Sequence, residues 1–314
     1  MRAVAFDKTG TLTAGKPVVT DIVSFDGDEA KVLSIAVALS TGSSHPLSTA
    51  VLARAKTDGV EPLPVQDGQA IGGKGVTGVV DGATVFFGSP VAAGEQVPLS
   101  ESQVERIAAL NDEGKSVSVV VANGVILGAI AMRDEPRPDA LAGLQALAKT
   151  GVRTIMLTGD NRRTGEAIGR RLGIEVRAEL LPQDKLRIVT ELMASGLVVA
   201  KVGDGINDAP ALAQANVGIA MGAAADVALE TADAASLHGR VSDVASMIAL
   251  SRRTMGNIRQ NLVIALGLKA VFLVTTVLGI TGLWPAILAD TGATVLVTLN
   301  ALRLLGGPAL TPKR

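Results

Sequence analysis

Seven consecutive residues near the start of the chain, Asp7-Lys8-Thr9-Gly10-Thr11-Leu12-Thr13, carry the strongest chemical signal in the sequence. The apolar run at 3–6 before them reads as a buried strand. An aspartate at the exit of such a strand, followed at once by Lys, Thr and Gly, is well placed to attack a phosphoryl group. Carboxylates serve as covalent nucleophiles in this way, forming aspartyl-phosphates.

Two more apolar runs end in polar clusters: 154–157 leads into Thr158-Gly159-Asp160-Asn161, and 197–202 into Gly203-Asp204-Gly205. Helix-like segments at 138–149 and 165–172 alternate with these runs. Strand–helix alternation of this kind predicts a doubly wound parallel sheet. Ligands bind such sheets at the carboxyl ends of the strands, so the three clusters are expected on one edge as one site. Between 20 and 126 the texture changes. Helix-like stretches at 29–39 and 47–55 flank Thr41-Gly42-Ser43-Ser44-His45-Pro46, and Gly-, Val- and Thr-rich alternation follows at 76–87. Asn123-Gly124, between apolar runs at 117–121 and 125–130, signals a hairpin. This segment reads as an inserted α+β domain.

At 314 residues there is room for two or three domains. The net charge of −1 gives no reason to expect a nucleic-acid partner, and the absence of cysteine excludes disulfides and thiolate metal sites. Met1-Arg2 leads straight into the first strand, so no cleavable signal sequence is expected ahead of Asp7. Mean hydropathy is +0.40, high for a soluble protein. The excess comes from 262–278 and 283–305, each close to the roughly 20 residues that span a bilayer. Two transmembrane helices are expected, at about 257–279 and 283–305, turning at Gly279-Ile280-Thr281-Gly282. Arg252, Arg253 and Arg259 precede this hairpin, Arg303, Lys313 and Arg314 end it, and the turn has no basic residue. By the positive-inside rule both ends face the cytoplasm. Lys269 and Asp290 each cost on the order of 2.5–3.5 kcal/mol at the centre of a membrane helix. Two such residues in one hairpin read as a pair in a transport pathway; a salt bridge that only orients the helices is the other reading.

The motifs together resemble the heavy-metal-transporting P-type ATPases, from the phosphorylated aspartate to the C-terminus. DKTGTLT at 7–13, SSHP at 43–46, GKGV at 73–76, TGDN at 158–161, PQDK at 182–185 and GDGINDAPALAQA at 203–215 match in order and separation. The resemblance implies a haloacid-dehalogenase-like phosphorylation domain (1–20 and 127–250) and an inserted nucleotide-binding domain (21–126), followed by the hairpin. It implies that Asp7 attacks the γ-phosphorus of ATP. Mg²⁺ would be held by Asp204, the Asp7 carboxylate and the Thr9 backbone carbonyl. Lys185 would neutralise charge, Thr158 would hold a phosphate oxygen beside Gly159 and Asp160, and Asn207 and Asp208 would complete the network. His45 would engage adenine, with Gly73 and Gly75 allowing close backbone approach. Ser44 stands where many relatives have Glu, so this chain offers no carboxylate to the base at that position. Asp134 and Arg137 match the segment re-entering the phosphorylation domain, where a hinge role, nucleotide contact and a plain capped loop all remain open.

A multi-pass protein of the plasma membrane with cytoplasmic catalytic domains is implied. Lys269 and Asp290-Thr291-Gly292 stand where the zinc, cadmium and lead branch carries a Lys and an Asp-Thr-Gly, and the Tyr-Asn and Met-Ser-rich signatures of copper pumps are absent. Asp290 is therefore the expected ligand for exported Zn²⁺, Cd²⁺ or Pb²⁺, and Lys269 its counter-charge. Such pumps carry several hundred residues before the aspartate motif, and here there are six. The upstream actuator domain and the Cys-Pro-Cys helix are thus expected elsewhere, and transport by this portion alone is not. Two strings mislead. Gly73-Lys74-Gly75-Val76-Thr77-Gly78 spells a dinucleotide fingerprint but precedes a strand-like run instead of a helix. Thr164-Gly165-Glu166 copies an actuator motif but lies in a helix, where Glu166 reads as solvated. A membrane-tethered phosphatase of the same fold is the main alternative, and Thr9 argues against it. Soluble phosphatases of the fold place a second Asp there as general acid and base, and Thr has no pKa for that task. A fragment that only binds nucleotide is a further alternative.

Overall fold

A computed structural model describes residues 1–43, 45–205, 208–222, 226–280 and 282–305, and for 283, 286, 289 and 290 the backbone only. The chain divides into two units, Met1–Ser242 and Asp243–Arg314. The first opens with β1 (Ala3–Asp7), whose Ala3, Val4, Ala5 and Phe6 are fully buried. Residues 8–12 turn away from it with Gly10 in the left-handed region at φ +72°. There follow β2 (Val18–Ser24), α1 (Glu29–Ser40), α2 (Pro46–Asp58), β3 (Gln66–Ile71), β4 (Gly75–Val80) and β5 (Ala83–Gly88). Helices α3 (Pro90–Gln96) and α4 (Glu101–Asp112) lead to the hairpin of β6 (Ser116–Ala122) and β7 (Val125–Arg133). Next come α5 (Ala140–Lys149), β8 (Arg153–Leu157), α6 (Arg162–Leu172), β9 (Glu175–Arg177), α7 (Pro182–Ala194) and β10 (Val199–Gly203). The unit closes with α8 (Ala209–Gln214), β11 (Val217–Met221), α9 (Asp226–Thr231) and β12 (Ala234–Ser236).

Two six-stranded sheets result. One has the order β12-β11-β10-β1-β8-β9 and is parallel throughout. Its central strands β1 and β10 are buried along their whole length and apolar apart from Asp7 and Lys201, as burial on both faces favours. The other has the order β2-β7-β6-β5-β4-β3 and is antiparallel. Helix α1 packs on one of its faces, burying Val32, Leu33, Val37 and Leu39 against Val120 and Ile130. The other face buries Phe86, Leu110, Val119 and Ala129. Asn123 (φ +47°) and Gly124 (φ +74°) make the tight turn expected between β6 and β7.

The expected domain division at 126/127 falls inside β7, which pairs along its length with β2 and β6. The periodicity had no mark there, because β7 is a single apolar run. The chain passes between the sheets at 14–17 and 134–136, where an isolated bridge joins Thr13 to Pro136. The first unit ends at Ser242, eight residues before the expected 250. The reason is α10 (Val241–Val277), which runs unbroken for 37 residues, starting 16 before the expected 257. The second helix of the hairpin is α11 (Leu283–Leu302). Mid-way along α10, Asn257 Nδ2 donates to the carbonyl of Asn300 near the end of α11 (2.7 Å), and Asn300 Nδ2 donates to Asn261 Oδ1 (2.8 Å). Among the described residues α10 is the one helix long and apolar enough to cross a membrane, and Thr291–Leu302 within α11 is a shorter apolar stretch.

Candidate active site

The register of the parallel sheet gathers the three expected clusters. Asp7 lies opposite Leu157 on β8, and Phe6 opposite Val202 on β10. Asp7, Thr158 and Asp204 therefore leave adjacent strands at the same edge. Thr158 is buried, and its hydroxyl accepts from the Asp160 amide at 3.1 Å, which leaves the hydroxyl proton free to be donated. Gly159 follows on the exposed side of the turn.

Behind Asp7 lies a buried network of charge. Lys185, in the first turn of α7, forms an ion pair with Asp7 and reaches Asp208 Oδ1 at 3.1 Å. Lys201, in the middle of β10, lies 3.0 Å from that same Oδ1. All four side chains are almost closed to water. Burial, and after it the Asp208 carboxylate, raises the Asp7 carboxyl above its ordinary range, against the pull of Lys201 and Lys185. For Asp208 burial also acts upward, but the two ammoniums outweigh it and hold the carboxyl low. Burial acts downward on Lys185, and Asp7 and Asp208 outweigh it and hold the ammonium high.

Asp204 is half-buried, and its carboxyl is pushed up to about 6, by burial first and then by Asp7 and Asp208. Ligand oxygens of Asp7, Asp204 and Asp208 lie within 4.8 Å of one another. Fully ionised, the three carboxylates exceed the two ammoniums by one negative charge. Hard oxygens in such excess suit a divalent cation such as Mg²⁺. Local backbone confirms that the space is kept for them. A Cβ at Gly10 would overlap the Asp204 carboxylate, and one at Gly203 would lie 2.7 Å from Asp208 Oδ2. Both lysines share one oxygen of Asp208 and Lys185 takes one oxygen of Asp7, so each of these carboxylates keeps a second oxygen beside Asp204 for a cation.

Other expected residues serve the loop after Asp7. Asp160 forms an ion pair with the buried Lys8. Arg137 donates to the carbonyls of Thr11 (3.0 Å) and Gly10 (2.5 Å). Asp134 accepts from the Thr13 hydroxyl and from the Lys16 amide at 3.2 Å. These two side chains are thus spent on holding residues 10–16 where the chain crosses between sheets. Thr9 is exposed on the same turn. Asn207 lies outside the described residues. Glu166 is exposed, while Thr164 is buried and donates to the Lys115 carbonyl at 2.9 Å, so that tripeptide serves packing.

In the antiparallel part a cleft of about 850 Å³ is lined by Leu39, Ser43, Leu63, Val65, Gln69 and Val76 among others. His45, Gly73 and Gly75 flank lining segments without lining the cleft themselves. His45 is exposed and caps α2, its Nδ1 accepting from the Leu47 amide at 3.3 Å. Gly75 (φ +155°) is required by its own sheet, because a Cβ there would collide with the Phe87 carbonyl. In the hairpin, Lys269 lies on α10 and position 290 on α11, but the Asp290 side chain is outside the described residues.

Sequence reasoning missed Lys201 and the pairing of Lys8. A lysine inside the run Val199-Ala200-Lys201-Val202 was the available signal, since a charge buried in a central strand requires a partner.

A model of the haloacid dehalogenase-like hydrolase family matches residues 1–216. The zinc/cadmium/lead-transporting P-type ATPase of Escherichia coli (strain K12) is 49% identical over 303 residues, covering 96% of this chain and 41% of that protein. The chain thus spans about two fifths of the length of the curated relatives it matches. A crystal structure of a zinc-transporting PIB-type ATPase in the E2·Pi state superposes with a TM-score of 0.73 at 47% identity, covering 96% of this chain and 49% of the other. The catalytic domain of the CPx-ATPase CopB-B superposes with a TM-score of 0.63 at 31% identity, over 79% of this chain and 88% of that one. The chain belongs to the haloacid dehalogenase-like hydrolases and, within them, to the P-type ATPases.

Proposed function

We propose that this chain is the ATP-hydrolysing and C-terminal membrane region of a divalent heavy-metal exporter. Asp7 is the residue that accepts the γ-phosphoryl group. The observation that carries this reading is the buried Asp7–Lys185–Asp208 cluster at the open edge of a parallel sheet. In the transfer an Asp7 carboxylate oxygen forms a bond to the γ-phosphorus as the bond to the ADP oxygen breaks. Phosphoryl transfer asks mainly for positioning and charge neutralisation. Lys185 supplies a cation against Asp7, and Thr158 directs its hydroxyl proton to a phosphoryl oxygen. Asp7, Asp204 and the Thr9 backbone carbonyl would hold Mg²⁺, with Asn207 completing the set. When bound, the ion neutralises charge on the phosphates. ATP enters at the cleft beside His45, Gly73 and Gly75, while Asp134 and Arg137 fix the crossing between the sheets.

The hairpin lies in the lipid bilayer of the plasma membrane, with the catalytic unit on its cytoplasmic side. In support, no residue in the most apolar window of α10 is buried, whereas the core helix of a soluble protein would be mostly buried. Asp290 contributes a ligand to transported Zn²⁺, Cd²⁺ or Pb²⁺, and Lys269 a counter-charge, in concert with the upstream actuator and metal-site portion of the pump. Metal-stimulated hydrolysis by the assembled pump tests this. Asp290→Ala should abolish it and spare ATP binding, while recovery in a double Asp290/Lys269 change to apolar residues would leave only a structural pair.

The phosphatase reading differs in the lifetime of the phospho-enzyme. With Thr9 in place, label from γ-labelled ATP should be acid-stable, hydroxylamine-labile and slow to hydrolyse, and Thr9→Asp should shorten its life. Rapid turnover of small phosphate monoesters without ATP would favour the phosphatase.

A further inference from the structure

Lys201 is the charged side chain that the proposed transfer leaves without a role. It lies in β10 between Ala200 and Val202, and all three are entirely buried. An aliphatic side chain would fill such a place at far lower desolvation cost. The ammonium donates to the Val202 carbonyl at 2.9 Å and lies 3.0 Å from Asp208 Oδ1. Lys185 shares that same oxygen at 3.1 Å and also pairs with Asp7. One carboxylate oxygen therefore serves two lysines, and only one of the two is paired with the phosphoryl acceptor.

We infer that Lys201 is a positioning residue for phosphoryl transfer: it holds Asp208, so that Lys185 is left to serve Asp7, and its charge trims the negative excess of the cluster. The inference rests on the reading of Asp7 as acceptor. Without Lys201, three carboxylates face one ammonium, and Asp208 competes with Asp7 for Lys185. An incoming phosphoryl group then meets a more negative site, whereas a divalent cation meets a more attractive one. Phosphorylation and Mg²⁺ binding should move in opposite directions. A site merely loosened by a packing defect would lose both.

The test uses the full chain, with Mg²⁺ binding measured calorimetrically in the absence of nucleotide and label formation measured at saturating ATP and Mg²⁺. Lys201→Met should slow label formation about tenfold or more, leave the ATP concentration for half-saturation unchanged, and tighten Mg²⁺ binding about threefold or more. An unchanged rate of label formation, or Mg²⁺ binding weakened together with it, would overturn the assignment. Should Lys201→Met not fold, Lys201→Gln is measured in the same way. Failure of both to fold would assign Lys201 to folding alone and equally overturn it. If the unaltered chain takes no label, the acceptor reading fails, and the Mg²⁺ isotherms still decide for Lys201. Tighter binding in the variant then supports the charge-trimming role, and unchanged or weaker binding overturns it.

Discussion

At the carboxyl ends of β1 and β10, Asp7, Lys185, Lys201 and Asp208 meet almost closed to water, each held by a partner of opposite charge. The cleft of the antiparallel part is lined instead by apolar side chains such as Leu39, Leu63, Val65 and Val76 with uncharged Thr41, Ser43 and Gln69, and His45 at its margin is committed to capping a helix. The first region has its electrostatics assembled before a ligand arrives, as stabilisation of developing charge demands. The second offers shape and apolar surface, where single side chains matter less. Mutations should therefore be severe and rate-limiting at the sheet edge, and mild and affinity-limiting at the cleft.

The largest effect expected is from Lys185→Met. Rates of label formation should fall by about 10²–10³-fold, the scale for losing a preorganised electrostatic group. Stability should fall by about 3–5 kcal/mol, because Asp7 loses its ion-pair partner inside the protein. Denaturant titration and quenched-label kinetics measure the two. A change confined to ATP affinity would erase the contrast between the regions.

Gly10→Ala comes next. The new Cβ overlaps the Asp204 carboxylate at a backbone φ of +72°, so half-saturation by Mg²⁺ should rise about tenfold. A normal Mg²⁺ titration in this variant would remove Asp204 from the cation site. The same carboxyl gives a pH signature. Its folded pKa of about 6 exceeds the unfolded 3.8, so the folded state binds more protons between these values. Stability of the Mg²⁺-free chain should therefore fall as pH rises from about 4 to 6. Added Mg²⁺ should raise the melting temperature increasingly over that window, and a flat Mg²⁺ effect from pH 4 to 7 would contradict the charge assignment.

The smallest effect lies at the cleft. His45→Ala should weaken ATP binding by about 1–2 kcal/mol and also remove the α2 cap, at about 0.5–2 kcal/mol of stability. His45→Asn keeps a capping side chain and separates the two. ATP affinity lost in both variants, with stability kept in Asn, assigns His45 to the nucleotide. Equal affinity in all three proteins would leave it only the cap.

The same contrast explains what the sequence made legible. Strand exits into Asp7, Thr158 and Asp204 could be read because parallel pairing converts three distant strings into one edge, and short polar clusters mark each exit. The Asn123-Gly124 turn was legible for a similar local reason. Boundaries were not: β7 and α10 run continuously through expected divisions, since neither a long buried strand nor a long helix changes periodicity where its surroundings change. The fourfold cluster was only partly legible. Lys185 and Asp208 stood in motifs, but that Lys201 shares their carboxylate depends on β10 register and side-chain reach. Asp134 and Arg137 stood out in their motif, yet which atoms they grip is decided by the crossing of two chain segments 118 to 127 residues apart.

The decisive measurement locates the phosphoryl group itself. The chain is incubated with ATP and Mg²⁺, quenched in acid, reduced with borohydride at the acyl-phosphate, and its peptides are mapped by mass spectrometry. Modification is expected at Asp7 alone, lost when hydroxylamine treatment precedes the reduction, absent without Mg²⁺ and absent in Asp7→Asn. Modification of another residue, or label persisting in Asp7→Asn, would contradict it.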